Sequence, residues 1–427
     1  MNMYKRCLSV LVPAVMLLSF HSAVSAADVE LTLNESISLA LQNNYDIKYA
    51  KSAREKAYWS LKETENNRGI SIDYAHSGRR FDSSAASSDA NGTSYDNQVS
   101  LSLPVYTGGS LENKIEQAKL NLNVADLEIE AARQQLKLTV VNAYLTVLEY
   151  QNQVRVNQDT ASNYEEHLKL VRAKYDLGVV AKTDVLSSQV DLAKAQDSLI
   201  VAENNYQNAV ASLNNTIGLP HDTKLRLKYE IAYQKYPLTL EECIQYAGIH
   251  RPEIAQNEAR VASAQYGVKI ANSGKLPTVA LSASEGWSDD QLPGLKNNNW
   301  TVKLTTSLNL FDSGVTKSQI KQAKHNVDMV SDQAGQERDS IFLSVRQYYL
   351  SMVEAEKRID TNKVSVERAE ENLMIQKARY EVGVGTNLDL RDAVVSLDTA
   401  KKDYIQSLYD FTTSKAKLEQ AMGLPVQ

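Results

Sequence analysis

The sequence predicts a mainly α-helical chain with a small β part, made from one helix–strand–strand–long helix–helix unit used twice. Three observations carry this. Short motifs return about 205 residues later: Ile217-Gly218-Leu219-Pro220 as Met422-Gly423-Leu424-Pro425, and Tyr175-Asp176-Leu177-Gly178 with Asp184 as Tyr380-Glu381-Val382-Gly383 with Asp389. No glycine or proline interrupts Ser110 to Lys174, a run of ~65 residues that as one helix spans roughly 100 Å. Four segments alternate apolar and polar residues with a period of two.

Residues 1–26 have the form of a secretory leader, with Lys5 and Arg6, an apolar stretch from Leu8 to Phe20 and small residues up to Ala26. Removing it leaves Cys243 as the sole cysteine and excludes an internal disulfide. The formal charge is −6 and becomes two units more negative without Lys5 and Arg6, which argues against nucleic acid as a partner. No later stretch is apolar over ~18 residues, so no membrane-spanning helix is expected.

The first repeat covers 27–220. A helix from Asn34 to Asn66 is capped by Thr32 or Asn34. Strands follow near 70–77 and 97–106, the second with Val99, Leu101, Leu103 and Val105 on one face. An exposed loop from Gly78 to Asp96 joins them. The long helix then runs to a hairpin tip near 175–184, and a returning helix covers Lys182 to Thr216. After a linker at 221–237, the second repeat (238–427) has a helix from Thr239 to Asn272, strands near 277–287 and 299–310, and a loop from Gly286 to Asn299 with Trp287 and Trp300 at its ends. A long helix (Ser318 to Lys377) and a tip near 380–389 complete it. A returning helix stacked end to end on a pre-strand helix matches the long helix in length, which puts the linker at mid-height.

The first long helix carries two apolar seams. Ile115, Leu122, Ile129 and Leu136 with Ala118, Ala125 and Ala132 form one; Val124, Ala131, Leu138 and Leu145 with Leu120, Leu127, Val141 and Leu148 form the other. They lie on nearly opposite flanks with polar residues between. Such a helix suits the wall of a hollow cylinder. In Ser318 to Lys377 the first seam persists, but His325, Asp332 and Asp339 spoil the second. Four strands of roughly ten residues can cross a bilayer but cannot close a barrel, whose minimum is about eight, so a barrel needs several copies.

The paired Tyr-x-x-Gly-x-x-x-x-x-Asp motifs, the paired Gly-Leu-Pro endings and the Gly108-Gly109 and Ser313-Gly314 helix starts resemble the TolC family of outer-membrane channel proteins over essentially the whole mature chain. The resemblance implies a homotrimer, in which four strands per subunit make a twelve-stranded barrel in the outer membrane lipid, continued by a periplasmic α-helical barrel. It also implies two partners, a periplasmic adaptor protein and an inner-membrane transporter.

Gly178 and Gly383 permit tight turns at the far end, with Val179, Val180 and Val384 exposed beside them; by resemblance these tips dock the adaptor. Asp389 and Asp392 share a helix face and match the acidic positions that line the family's narrow periplasmic entrance. Tyr380, Thr183 and Asp184 match residues that hold it closed. Gly385 stands where the family has an arginine, and Arg391 lies between the two aspartates instead. The structural alternative is helix capping by Thr183, Asp184, Asn387 and Asp389. Trp287 and Trp300 are candidate interfacial anchors. Neither a catalytic constellation nor a paired metal spacing is visible, and no cofactor is expected. The expected function is a passive outer-membrane exit duct of a tripartite efflux pump or type I secretion system. The alternative is a trimeric exported coiled-coil structural protein or adhesin.

Overall fold

The computed structural model describes residues 29–81, 92–228 and 235–426. The leader at 1–26, the middle of the first strand–strand connection and part of the 221–237 linker lie outside them. The chain is mostly helical with a small sheet part. In order come β1 (Val29–Leu31), α1 (Leu33–Asn43), α2 (Tyr45–Asn66), β2 (Ser71–Phe81), β3 (Gly92–Tyr106), α3 (Ser110–Asp176) and α4 (Lys182–Ile217). Then follow β4 (Leu225–Leu227), α5 (Leu240–His250), α6 (Pro252–Asn272), β5 (Thr278–Asp289), β6 (Asn297–Ser307), α7 (Val315–Glu381) and α8 (Asn387–Ala421). α3 and α7 have 67 residues each, so each is about 100 Å long. No described helix is long and apolar enough to cross a membrane.

Each pre-strand helix, expected as one piece, is two. Asn44 is extended (φ −64°, ψ 140°) and caps α2 by accepting from the Asp46 N–H at 2.7 Å. Its Nδ2 donates to the Thr216 carbonyl at 3.2 Å, so the end of α4 meets the start of α2. In the second repeat Arg251 is the break. Pro252 at the first position of α6 disfavours helical geometry in the residue before it, and the Arg251 guanidinium donates to the Gln420 carbonyl at the end of α8. Thr32 and Thr239, each with a glutamate three residues on, close capping boxes at α1 and α5.

These junctions make two composite columns, α2 over α4 and α6 over α8. α3 stands between them, and α7 packs on the far side of α6 and α8. Hence α3 buries both expected seams: Ile115, Ala125 and Leu136 on one, Val124, Val141, Leu145 and Leu148 on the other. α7 buries Ile320 and Ile341 of its first seam, but along its second flank Met329, Leu343, Leu350 and Val364 are exposed, at multiples of seven residues. The opposite outer column exposes Tyr45, Tyr49 and Trp59 on α2 and Leu186, Val190 and Ile200 on α4. This two-sided packing, together with the strand hairpins, removes the coiled-coil or adhesin alternative.

The main cores lie at mid-height. In the first repeat Tyr144, Leu145, Leu213 and Ile217 pack with Leu31 and Ile37, and the Tyr144 hydroxyl donates to the Leu31 carbonyl at 3.0 Å. In the second, Cys243, Met352, Phe411 and Leu418 do the same. The Gly-Leu-Pro motifs end the returning helices here. Gly218 and Gly423 both have φ of +78°, and a Cβ would lie 2.6 Å from the Asn43 Cβ or 2.7 Å from the His250 carbonyl oxygen.

β2, β3, β5 and β6 form one antiparallel sheet in that order. The strands outrun expectation at the loop end. Residues 78–81 pair with 92–95, so both ends of the supposed Gly78–Asp96 loop are ladder, and Trp287 and Trp300 lie inside paired strands opposite Asn298 and Glu285. Cross-strand hydrogen bonding overrides the Ser/Gly/Arg-rich composition there. At the helix end β6 stops at Ser307, opposite Thr278, because β5 offers residues 308–310 no partner. Register assigns the faces. Ile72, Tyr74, Val99, Leu101, Leu281, Ala283, Trp300, Val302 and Leu304 share one side, with Glu285 between Val99 and Trp300; Asp73, Gln98, Ser100, Ser282, Ser284, Thr301 and Lys303 share the other.

Candidate functional site

The tips of the two helical hairpins, at the end away from the sheet, gather the residues singled out from the sequence. Each tip turns on a left-handed glycine, Gly178 (φ +73°) and Gly383 (φ +84°), with open space where a Cβ would be. Val179 and Val384 are exposed, as are Leu177 and Val382, which the sequence reading missed although they too are repeat equivalents. Val180 was expected at the exposed end and is instead partly buried. It packs on a small core of Val171, Tyr380 and Leu390, because the turn folds it back between the hairpins.

Tyr380 is the centre of this core, with 4% of its surface exposed. Its hydroxyl is buried with no hydrogen-bond partner among the described residues. Burial, and then the nearby Asp184 charge, raise its phenol above the ordinary range. The His167 ring meets the tyrosine edge-on at 5.1 Å, and the Lys174 ammonium stands 4.5 Å from the ring centroid. Lys174 also donates to the Tyr380 carbonyl and, at 3.2 Å, to the Glu381 carbonyl. The last turn of α7 is thus capped from α3.

Further polar links join the hairpins. His167 Nε2 lies 2.6 Å from Asn387 Oδ1, and Asn387 Nδ2 donates to Ser187 Oγ at 3.4 Å. Lys377 pairs with Glu166 at 3.0 Å and Arg391 with Asp191 at 3.6 Å. A cleft of about 280 Å³ between α3, α7 and α8 is lined by Glu166, His167, Lys377 and Glu381. His167, Lys174, Asn387 and Asp191 were not legible as a group, since their partners lie some 200 residues away. The one local hint was a basic residue directly before the motif tyrosine in both repeats, Lys174 and Arg379.

The acidic pair divides. Asp389 closes a capping box: its carboxylate accepts from the Thr386 hydroxyl (2.8 Å) and N–H (3.1 Å), and its own N–H donates to Thr386 Oγ1 (3.1 Å). The hydroxyl bond first, then the N–H bond, hold its carboxyl below the usual carboxylate range. Asp392 is exposed one turn further on and therefore hydrated. Thr183 is exposed at the start of α4, and the Asp184 carbonyl accepts from Ser187 and Ser188. The structure thus brings Tyr380 and Asp184 together and gives Asp389 a capping role that does not remove its charge. Gly385 sits tightly against α7, since a Cβ would lie 3.1 Å from Arg379 Cβ and from the Tyr380 nitrogen, so a side chain there requires its neighbours to shift by a few tenths of an ångström. Among the described residues no group of three or more His, Cys, Asp or Glu could hold a metal ion.

A model of the family described as "Outer membrane efflux protein" matches residues 36–219 and 243–424, one stretch in each repeat. The chain is 23% identical over 431 residues to outer membrane protein TolC of Escherichia coli (strain K12), covering 97% of this chain and 86% of that protein. It is 24% identical over 337 residues to the alkaline protease secretion protein AprF of Pseudomonas aeruginosa, covering 78% of this chain and 70% of that one. Among solved structures, the outer membrane protein VceC of Vibrio cholerae superposes with a TM-score of 0.80 at 20% identity, over 92% of this chain and 96% of that one. The CmeC outer membrane channel of Campylobacter jejuni gives 0.81 at 19% identity, over 92% and 85%.

Proposed function

The chain belongs to the outer membrane efflux protein family, and from that premise we propose that three copies close a twelve-stranded barrel continued by a helical tunnel. As a member it is an outer-membrane exit duct for efflux or type I secretion, with a long helical periplasmic part, and not an enzyme. The observation that carries closure by several copies is the open sheet, and the number three rests on the resemblance to the TolC family. β2 and β6 each leave one edge without a strand partner among the described residues, and an open edge in lipid exposes unsatisfied backbone groups. Pairing β6 of one copy with β2 of the next removes every edge. The apolar face then meets lipid and the serine- and threonine-rich face lines water. The same ring sets the bare flank of α7 against the bare outer column of α2 and α4, so the heptad-spaced Met329, Leu343, Leu350 and Val364 gain a partner. The bounds 27–220 and 238–427 are then two copies of one wall element.

In this reading the tips form the periplasmic gate. Asp389 and Asp392 ring the constriction, attracting cations. Tyr380, Asp184 and Thr183, with the Arg391–Asp191 and Lys377–Glu166 pairs, hold the hairpins together beside Gly385, which offers no side chain to do so. The exposed Val179 and Val384, on turns made by Gly178 and Gly383, dock a periplasmic adaptor that carries an inner-membrane transporter; Val180 supports the turn from within. Planar-bilayer recording tests the gate. Asn can keep the capping acceptor while removing the charge, so Asp389→Asn with Asp392→Asn lowers cation selectivity and raises single-channel conductance. Unchanged selectivity and conductance would put the constriction elsewhere.

A further inference from the structure

From the level of Tyr74, Val99, Glu285 and Trp300 onward, the apolar face of the sheet changes character. The next residues on that same face are His76, Asn97, Trp287 and Asn298, and after them Tyr95 and Asp289. The connection from β5 to β6, residues 290–296, does not project from the end of the hairpin. It folds back over this side of the sheet and is fixed there. Asn97, almost wholly buried, donates from Nδ2 to the Pro293 carbonyl at 2.8 Å and the Gly294 carbonyl at 3.1 Å. Its Oδ1 accepts from the Tyr74 hydroxyl at 2.7 Å and lies 2.8 Å from His76 Nδ1. Gly294 (φ +81°) is pressed so close that a Cβ would lie 2.6 Å from the Tyr95 carbonyl oxygen. Lys296 pairs with Asp289, on the same face, at 3.5 Å.

A loop held this firmly exposes two large apolar side chains on either side of its pinned centre, Leu292 at 65% and Leu295 at 57%. On the water-lined face they would have no apolar surface near them. On the outer face they continue the belt that runs from Leu304 and Val302 up to Trp300, all exposed. From Thr306 to Asn298, the level of the pinned loop, is eight residues along β6, which on a strand tilted ~40° rises roughly 20 Å, most of the height of a lipid-facing band. The loop therefore lies at the outer edge of that band. We propose that residues 290–296 form a lateral lipid foot, in which Leu292 and Leu295 enter the outer leaflet at the headgroup–acyl boundary, held down by Asn97. The proposal rests on the reading that the apolar face of the sheet meets lipid.

The experiment uses the full-length protein with Cys243→Ala, reconstituted in phosphatidylcholine vesicles, with single cysteines carrying an environment-sensitive NBD fluorophore. Leu292→Cys reports the foot, Val302→Cys the belt and Ser284→Cys the opposite face. The foot predicts blue-shifted emission at 292 that is lost in brominated lipid and resists aqueous iodide, as at 302, with 284 open to iodide only. Adding Asn97→Ala frees the loop, so the 292 signal moves to the aqueous pattern while 302 keeps its own and certifies the fold. An aqueous pattern at 292 with a lipid pattern at 302 overturns the foot alone. An aqueous pattern at both overturns the foot together with the lipid-facing assignment of the sheet.

Discussion

The His167 imidazole packs edge-on against the Tyr380 ring, 5.1 Å between centroids, and so ties the first helical hairpin to the second at their shared tip. Because Asn387 Oδ1 can only accept, the proton of neutral His167 sits on Nε2. Nδ1 is then a buried atom with no partner among the described residues.

That arrangement makes the tip sensitive to acid. Burial lowers the His167 pKa, opposed by the Asn387 bond and the Asp191 charge. The folded form therefore binds a proton less readily than the unfolded chain, whose histidine titrates near ~6.5. The sign follows: this contribution to stability is complete above pH ~6.5 and is lost as pH falls through the folded value. Protonation also sets a second cation beside Lys174. Bilayer recordings stepped downward from pH 7.5 should show rising open probability. His167→Gln, which keeps a donor to Asn387, should flatten the profile.

Replacing the mid-height glycines tests the duplicated endings. In Gly218→Ala and Gly423→Ala the left-handed backbone alone costs about 1–2 kcal/mol, and contact with Asn43 or His250 adds to it. Both should lower the thermal midpoint in detergent. At Gly178→Ala, with the same backbone class but open space around it, the loss should be confined to the backbone cost.

Two methionines on α7 separate folding from assembly. Met352 is 1% exposed and Met329 is 68% exposed. Met352→Ala empties a packed site and should cost about 2–5 kcal/mol of chain stability. Met329→Ala should leave folding unchanged and weaken association between copies, read as a larger monomer fraction on native gels.

The two ion pairs across the hairpins should differ in weight. Lys377 and Glu166 are both about half exposed, and such pairs contribute less than about 1 kcal/mol. Asp191 keeps only 14% of its side-chain surface exposed, so losing its partner leaves a poorly hydrated carboxylate. Arg391→Ala should therefore raise conductance more than Lys377→Ala does.

Much of this architecture could be read from the chain because it is periodic and repeated. Alternation of Val99, Leu101 and Leu103 with serines gave the two faces of the sheet, and the two seams on the first long helix gave a column with neighbours on both sides. The weak second seam of α7 had a physical reason: its flank is an outer edge of the subunit, where only every seventh position is apolar. The breaks at Asn44 and Arg251 were hidden because helical periodicity runs through both, although Arg251 before Pro252 was a local sign. At the tip, a cap at the start of the last helix was legible in Asn387 and Asp389, but the residue that forms it with Asp389 is Thr386, one position earlier. The contacts of His167 with Asn387 and Tyr380 were not, because no sequence window spans two hairpins that meet only in three dimensions.

The end-to-end junctions at Asn44 and Arg251 have a consequence for how such a chain can change length. α3 and α7 are unbroken rods, whereas the columns beside them are each laid from two pieces meeting at a fixed height. A seven-residue insertion in α3 alone would slide its far tip past that of its neighbour by about 10 Å, carrying Lys174 away from the carbonyls it caps. Matching insertions in α4, α7 and α8 would restore the alignment. Growth or shrinkage of the molecule is thus geared: the four helices below the junctions must lengthen together, in whole heptads, or the tips no longer meet.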